Sequence, residues 1–447
     1  MPGPPIEIHV TELAPGGAGV AHVEHRGERR AVFVERAAVG DRALVDVDFA
    51  TRPARGALVA VREPGPGRVA SPCAHAERCG GCDWMHLAPD AQAAAHRAIV
   101  LAALPPDLVA GAEIEVYPAP ARLGARARVR LHLVARDRRI TMGMFAPRSH
   151  DPVPVPDCPI LDPALERARI AFGELAGAAF AREGKGRGRG EARLALGPID
   201  AEGAPRRAVL ELTWEGELPP GFFAALERAI GDGGFLAGAR VRLAGAKKPL
   251  DVGDPTPWIL GADGAPLRLA PGGFAQSSDE ANARLARRAA SLALPDGDVP
   301  SGEPPPQLVE LYAGAGNLTV LLAARARVIA CESDEDAANA ARANLAARGL
   351  SAPHVRVATK DARAFEIPDG TRVVVLDPPR AGAREVAERL AKKPVARVVY
   401  VSCDPQTLGR DLAILAPRYE LARLELHEMF PQTSHVESVA LLVRKRR

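Results

Sequence analysis

Five short runs within residues 6–63, IEIHV, GAGVAHV, RAVFV, DRALVDVDF and GALVAVRE, alternate apolar with polar positions between Gly, Pro and charged turns. A period of two marks half-buried strands, and five of them so close together suggest a small closed barrel of the OB type. The pattern then changes. An Ala-rich helix is predicted over 88–105, opened at Pro89-Asp90 and stopped at Pro105-Pro106. Residues 112–260 mix strands (RARVRLHLVAR, RRITMGMF, RLALGPI, RAVLELTW, ARVRLAG) with the helical run ALERARIAFGELAGAAFARE. The Gly/Lys/Arg run Glu183–Glu191 reads as a flexible basic loop. LRLAPGGFAQSS is a strand and a Pro-Gly-Gly turn, DEANARLARRAASLA a helix, and Pro295–Pro306 a proline-rich loop or linker.

After Gln307 the chain alternates strand and helix: LVELYAGAGNLTVLLAARA, RVIACESDEDAANAARANLAARGL, VRVATKDA, RVVVLDPPRAG, RVVYVSCDP and a closing ESVALLVRK. Near-continuous apolar strands between helices predict a parallel, doubly wound α/β sheet. The expected architecture is three domains: a barrel over 1–65, an α+β domain over 66–265, and a Rossmann-like domain over 266–447.

Composition narrows the picture only a little. At 447 residues, 47% hydrophobic and 25% charged, the chain has the balance of a globular protein with a sizeable core. A net charge of +3 leaves nucleic acid open, although arginines cluster at 122–130 and 136–139. Aromatic residues make up 4%, so any base-stacking platform is small. The start, MPGPPIEIHV, has no cationic segment followed by an apolar one, and no apolar run approaches a membrane span; a cytoplasmic protein is expected. Six cysteines in so long a chain do not make a disulfide framework.

Three of them, Cys73, Cys79 and Cys82, fall at C-x₅-C-x₂-C among glycines and prolines, and Cys158 stands in VPVPDCPILDP. Four thiolates could complete an iron–sulfur or a zinc site, and the single C-x₂-C favours the cluster over a zinc ribbon. His75 and His86 are the alternative ligands nearby, but read as solvent-facing loop residues. In the last domain Gly314 and Gly316 follow a strand and let the backbone approach a ligand at a helix start. Glu332 ends the next strand, where an acid can hold ribose hydroxyls. The missing third glycine of G-x-G-x-x-G favours S-adenosylmethionine over a dinucleotide. Asp361 is placed to meet an adenine amino group, or to cap a helix. Asp377, before two prolines, ends the fourth strand, and Cys403 ends the fifth at the edge where such sheets bind ligands.

Taken together and in order, the four cysteines, FAQ, LYAGAGN, LDPPRAG, SCDP and HVES resemble the RNA uracil-5-methyltransferase family over nearly the whole chain. With its TRAM-type barrel and cysteines, the chain looks most like the branch acting on large-subunit ribosomal RNA, with transfer RNA as the alternative substrate. The resemblance implies Cys403 as nucleophile and Glu437 as general base. It implies Gln276, Tyr312, Asn317, Glu332, Asp361 and Asp377 around S-adenosylmethionine, with the uracil edge as the alternative contact of Asp377, and a [4Fe–4S] cluster on Cys73, Cys79, Cys82 and Cys158. RNA is the implied partner, with no membrane and no obligate protein partner, and a monomer is expected. Two positions depart from the family: Gln276-Ser277-Ser278 where Gln-Val-Asn is common, and Ala313 where Cys is common. Three other activities fit less well. An RNA cytosine-5-methyltransferase wants a further cysteine after Asp377-Pro378, a radical enzyme wants C-x₃-C-x₂-C, and a non-catalytic RNA-binding module has no need of Cys403 and Glu437.

Overall fold

The computed structural model of the chain describes residues 4–185, 187–199, 206–296 and 304–446. Strands Ile6–Leu13, Gly19–His25, Glu28–Val34, Arg42–Asp48 and Ala54–Glu63 close into a barrel, in the spatial order first, second, third, fifth, fourth. Alternate side chains, among them Ile8, Val10, Ala21, Val32, Val34 and Val45, fill its interior, as the period-two pattern requires.

A seven-stranded sheet follows, with helices Pro163–Glu183 and Gly221–Ile230 packed against it. Leu131, Leu133, Leu194, Leu210 and Leu212 from the sheet share one core with Phe172, Phe180 and Phe222 from the helices. The basic run expected to be a loop enters this sheet. Arg187–Leu196 is a strand, paired antiparallel to both Arg128–Arg136 and Ala208–Glu215. Its glycines are there for packing: a Cβ on Gly188 or Gly190 would come within 2.3 and 2.6 Å of the Trp214 ring. The proline-rich linker falls largely outside the described residues.

The C-terminal sheet has eight strands, in the order Val355–Thr359, Arg327–Glu332, Gln307–Leu311, Thr371–Leu376, Arg397–Ser402, Glu437–Arg444, Tyr419–His427, Glu113–Tyr117. The first five are parallel, and their apolar residues are buried on both faces. Contrary to the expectation of a wholly parallel sheet, Glu437–Arg444 runs antiparallel to both neighbours. The connection from Tyr419–His427 is too short for a crossover, so the strand must return beside its predecessor. The outermost strand, Glu113–Tyr117, comes from far upstream, and helix Pro89–Ala103 also packs on this sheet's helical layer. Residues 89–117, counted with the middle of the chain in the sequence, therefore build part of the C-terminal unit. Among the described residues no helix is long and apolar enough to cross a membrane.

Candidate active site

The strand register sets the site. Leu311 pairs with Cys331 and Leu376, Leu376 with Tyr400, and Ser402 with Ser438. The residues just beyond, Tyr312, Glu332, Asp377 and Cys403, therefore lie along one edge. Glu437, arriving antiparallel, joins them beside Cys403. This is the edge at which open α/β sheets hold their ligands.

At one end the chain turns sharply through Tyr312 (φ 65°), Gly314 (φ 55°) and Gly316 (φ 87°). The positive φ at Gly316 favours glycine, and a Cβ there would press on Ala341 at 3.3 Å. Glu332 ties this turn to its own strand, accepting from Gly314 N and Asp334 N, both at 2.8 Å. Asn317 Oδ1 accepts from Ala262 N at 2.9 Å. Asp361 caps the turn Ala362–Ala364, accepting from Arg363 N at 2.8 Å, and its carboxyl is held below the usual range by hydrogen bonding to the Arg363 guanidinium 2.6 Å away. Tyr312 is half-buried, and burial followed by the charge of Asp361 pushes its phenol up to about 12.

At the other end, the Val- and Tyr-rich strand Arg397–Ser402 stops where Asp404 caps helix Pro405–Leu415, accepting from Thr407 N at 2.8 Å. Proline at the first helical position fixes the turn. Cys403 is caught between strand and cap, half-buried. Burial first, then the charges of Glu437 and Asp377, raise its thiol to about 11 against the opposing Arg380 guanidinium. Glu437 is 3% exposed. Burial, then the charge of Asp377, pushes its carboxyl to about 8, against a side-chain hydrogen bond from Gln276 and the pull of Arg380. Asp377 stands open to the cleft, yet protein crowds its carboxyl and desolvation raises it to about 6. Water still reaches this group, so the shift is fully expressed only when a ligand fills the cleft. Gln276 is buried, and its carbonyl accepts from Arg128. Of the two neighbours that depart from the family, Ser278 caps helix Asp279–Ala293 and Ser277 Oγ donates to Met429 O at 3.4 Å.

Two residues at this edge carry no role in the sequence reading. Glu310 is 3% exposed, and burial with the charges of Asp377 and Glu332 raises it to about 8. Arg380 is exposed, and no ion pair or hydrogen bond holds its guanidinium among the described residues. Both lie within quoted motifs, ELYAGAG and LDPPRAG, but only the fold shows what surrounds them.

Cys73, Cys79, Cys82 and Cys158 are all half-buried and line one cavity of about 580 Å³. Neither Cys403 nor Glu437 lines it; the cavity reaches the active edge through Ser277, Arg380 and Phe430. Burial raises Cys82 to about 12 and Cys158 to about 11; the charges of Cys158 and Cys79 add to the first, and those of Glu166 and Cys79 to the second. Among the described residues no three His, Cys, Asp or Glu side chains form a group for a single metal ion. His75 Nε2 lies 2.9 Å from Asp157 Oδ1. His86 corrects the expectation of a solvent-facing residue. It is 8% exposed, and burial, then Arg68, lowers its imidazole to about 4, because the segment after Cys82 turns inward under the barrel. Cys331 is buried in its strand, its Sγ 3.0 Å from Lys360 O.

A doubly wound sheet with a glycine turn and an acid at the next strand end, closed by an antiparallel pair, defines the Rossmann-like methyltransferase class. Residues 280–445 match the tRNA (Uracil-5-)-methyltransferase family. The 23S rRNA (uracil(1939)-C(5))-methyltransferase RlmD of Pseudomonas entomophila is 31% identical over 97% of this chain and 92% of that protein. An uncharacterized RNA methyltransferase, tlr0942, of Thermosynechococcus vestitus is 31% identical over 98% of each chain. The Pyrococcus abyssi tRNA (uracil-54, C5)-methyltransferase, solved with S-adenosyl-L-homocysteine, superposes with a TM-score of 0.73 at 23% identity, over 98% of this chain and 99% of that one. The chain belongs to the RNA uracil-5-methyltransferase family and is a methyltransferase.

Proposed function

We propose that this protein transfers the methyl group of S-adenosylmethionine to C5 of one uridine in large-subunit (23S) ribosomal RNA. The observation that carries the proposal is the pairing of a half-buried thiol, Cys403, with a buried carboxyl, Glu437, on neighbouring strands of the ligand edge. Uracil C5 is a poor nucleophile. The Cys403 thiolate adds at C6, forming a C–S bond and sending the ring electrons to O4 as an enolate. C5 then takes the methyl from the sulfonium, whose C–S bond breaks to leave S-adenosylhomocysteine. Glu437 removes the C5 proton, C5=C6 reforms, and the thiolate is expelled.

Charge accounts for the order of steps. The charge of Glu437 raises the Cys403 thiol, and burial with Asp377 raises Glu437, so near neutral pH the pair carries at most one negative charge. Bond formation at C6 removes charge from sulfur and frees Glu437 to ionise as the base. Arg380 favours the anion on either group. Gln276, hydrogen-bonded to Glu437, would orient that carboxyl as well as face the cofactor. Glu332 would meet the ribose, Asp361 the adenine, and Tyr312, Asn317 and Asp377 the rest of the cofactor. The target base must leave its stack to reach this edge. Phe274, 82% exposed on the Pro-Gly-Gly turn, offers a ring for stacking, and the barrel a second RNA contact.

Four thiols lining one cavity supply the donor set that an iron–sulfur cluster needs. Cys73, Cys79, Cys82 and Cys158 would hold a [4Fe–4S] cluster. The reaction has no redox step, so the cluster supplies shape or RNA docking. The protein acts in the cytoplasm as a monomer. The test is to map 5-methyluridine in total RNA from cells with and without the gene. Loss of one 23S site is expected; loss only from transfer RNA, or none, overturns the assignment.

A further inference from the structure

The loop 428–436, which delivers Glu437, is held in part from outside its own unit. Asp83, the residue after Cys82, accepts from Ser434 N through both carboxylate oxygens at 3.2 Å. Trp84 N donates to Gln432 O at 2.9 Å, and its indole donates to Gly17 O, in a barrel turn, at 3.0 Å. Trp84 is fully buried. Gln92 completes the clamp: Nε2 donates to Trp84 O at 3.1 Å and to Gln432 Oε1 at 3.0 Å, while Oε1 accepts from Gln432 N at 3.0 Å. Gln432 itself sits at φ 70°, a conformation an unbranched polar residue adopts only when its surroundings impose it.

We propose that Asp83, with Trp84, is a positioning residue for Glu437: it fixes the loop so that the carboxylate meets C5 of the bound uracil. The inference rests on the assignment of Glu437 as base. It also makes the barrel turn, the four-cysteine segment and the base one mechanical unit. Gly17 shows how tight the junction is, since a Cβ there would come 2.0 Å from Asp83 Oδ2.

A misplaced base leaves addition and methyl transfer intact and slows only proton removal. Asp83→Ala should therefore lower kcat on an unmodified large-subunit rRNA transcript by about tenfold or more, with KM for RNA held within about twofold. A covalent protein–RNA band should build up on denaturing gels, which a merely structural defect would not produce. Asp83→Asn keeps one oxygen for Ser434 N–H and should restore most of the rate. Gly17→Ala, which at φ 89° strains the barrel turn as well as displacing the carboxylate, should act like Asp83→Ala, so failure of Asp83→Ala to fold does not remove the test. Normal turnover in both variants, or weakened RNA binding at unchanged kcat, overturns the proposal. Glu437→Gln is the control. If it traps the adduct while Asp83→Ala and Gly17→Ala do not, positioning alone fails; if it does not trap the adduct, the base assignment fails with it.

Discussion

Replacing Glu437 by glutamine should make the resting protein more stable in alkaline solution while stopping its chemistry. The carboxyl is 3% exposed and lifted from 4.5 to about 8, chiefly by burial. At about 1.4 kcal/mol per pKa unit, ionising it in the fold costs up to roughly 5 kcal/mol, an upper bound because the site can relax and admit water. Below pH 4.5 folded and unfolded chains both hold the proton, and the group costs nothing. From 4.5 to about 8 only the folded chain holds it, so stability falls as pH rises, and above 8 the loss is complete. Glutamine has nearly the same shape and no charge. Urea titrations of parent and Glu437→Gln should therefore coincide near pH 5 and separate by about 1–3 kcal/mol near pH 9, with glutamine the more stable. Equal midpoints at pH 9, or a less stable variant, would show that Glu437 is not a desolvated carboxyl and would remove the reason for treating it as a poised base.

Cys403→Ala should abolish 5-methyluridine formation and leave RNA affinity, by filter binding, within about twofold of the parent, since the thiol supplies reactivity rather than docking. Glu425 is fully buried; burial alone would raise its pKa, but the His427 ring and the Arg288 guanidinium bring it down to about 2. Its stabilisation is present above pH 4.5 and lost as pH falls toward 2, so Glu425→Gln should cost about 2–3 kcal/mol at pH 7 by urea titration, with the gap narrowing in acid. Cys158→Ser should strip most iron and labile sulfide from protein purified without oxygen, read by metal and sulfide analysis and by the loss of visible absorption. Unchanged iron content there would remove Cys158 from the ligand set.

Local pattern carried much of the fold. The barrel strands alternate because one face of each is buried, and helix Asp279–Ala293 starts where Ser278 can cap it. Cys403 stood out because a β-rich run ends on it before Asp-Pro. What the sequence hid depends on partners distant along the chain. Arg187–Leu196 has the composition of a loop, and only the Trp214 ring over its glycines explains a strand. Glu113–Tyr117 pairs with Tyr419–His427, and no local signal announces that neighbour. Glu437 has the look of a surface glutamate; an antiparallel neighbour on each side of its strand and the approach of Gln276 bury it. Glu310 and Arg380 carried no signal beyond their motifs. Asp83 and Gln92 read as ordinary polar residues until the fold brought loop 428–436 against them.

The central claim is a transient bond between Cys403 and uracil C6. The direct measurement is to incubate Glu437→Gln with the rRNA transcript and S-adenosylmethionine, digest with nuclease and protease, and sequence the modified peptide by mass spectrometry. The account expects a methylated uridine nucleotide on the peptide containing Val401-Ser402-Cys403, attached at Cys403. Methylated RNA recovered with Cys403 unmodified, or the nucleotide attached to another residue, would contradict it.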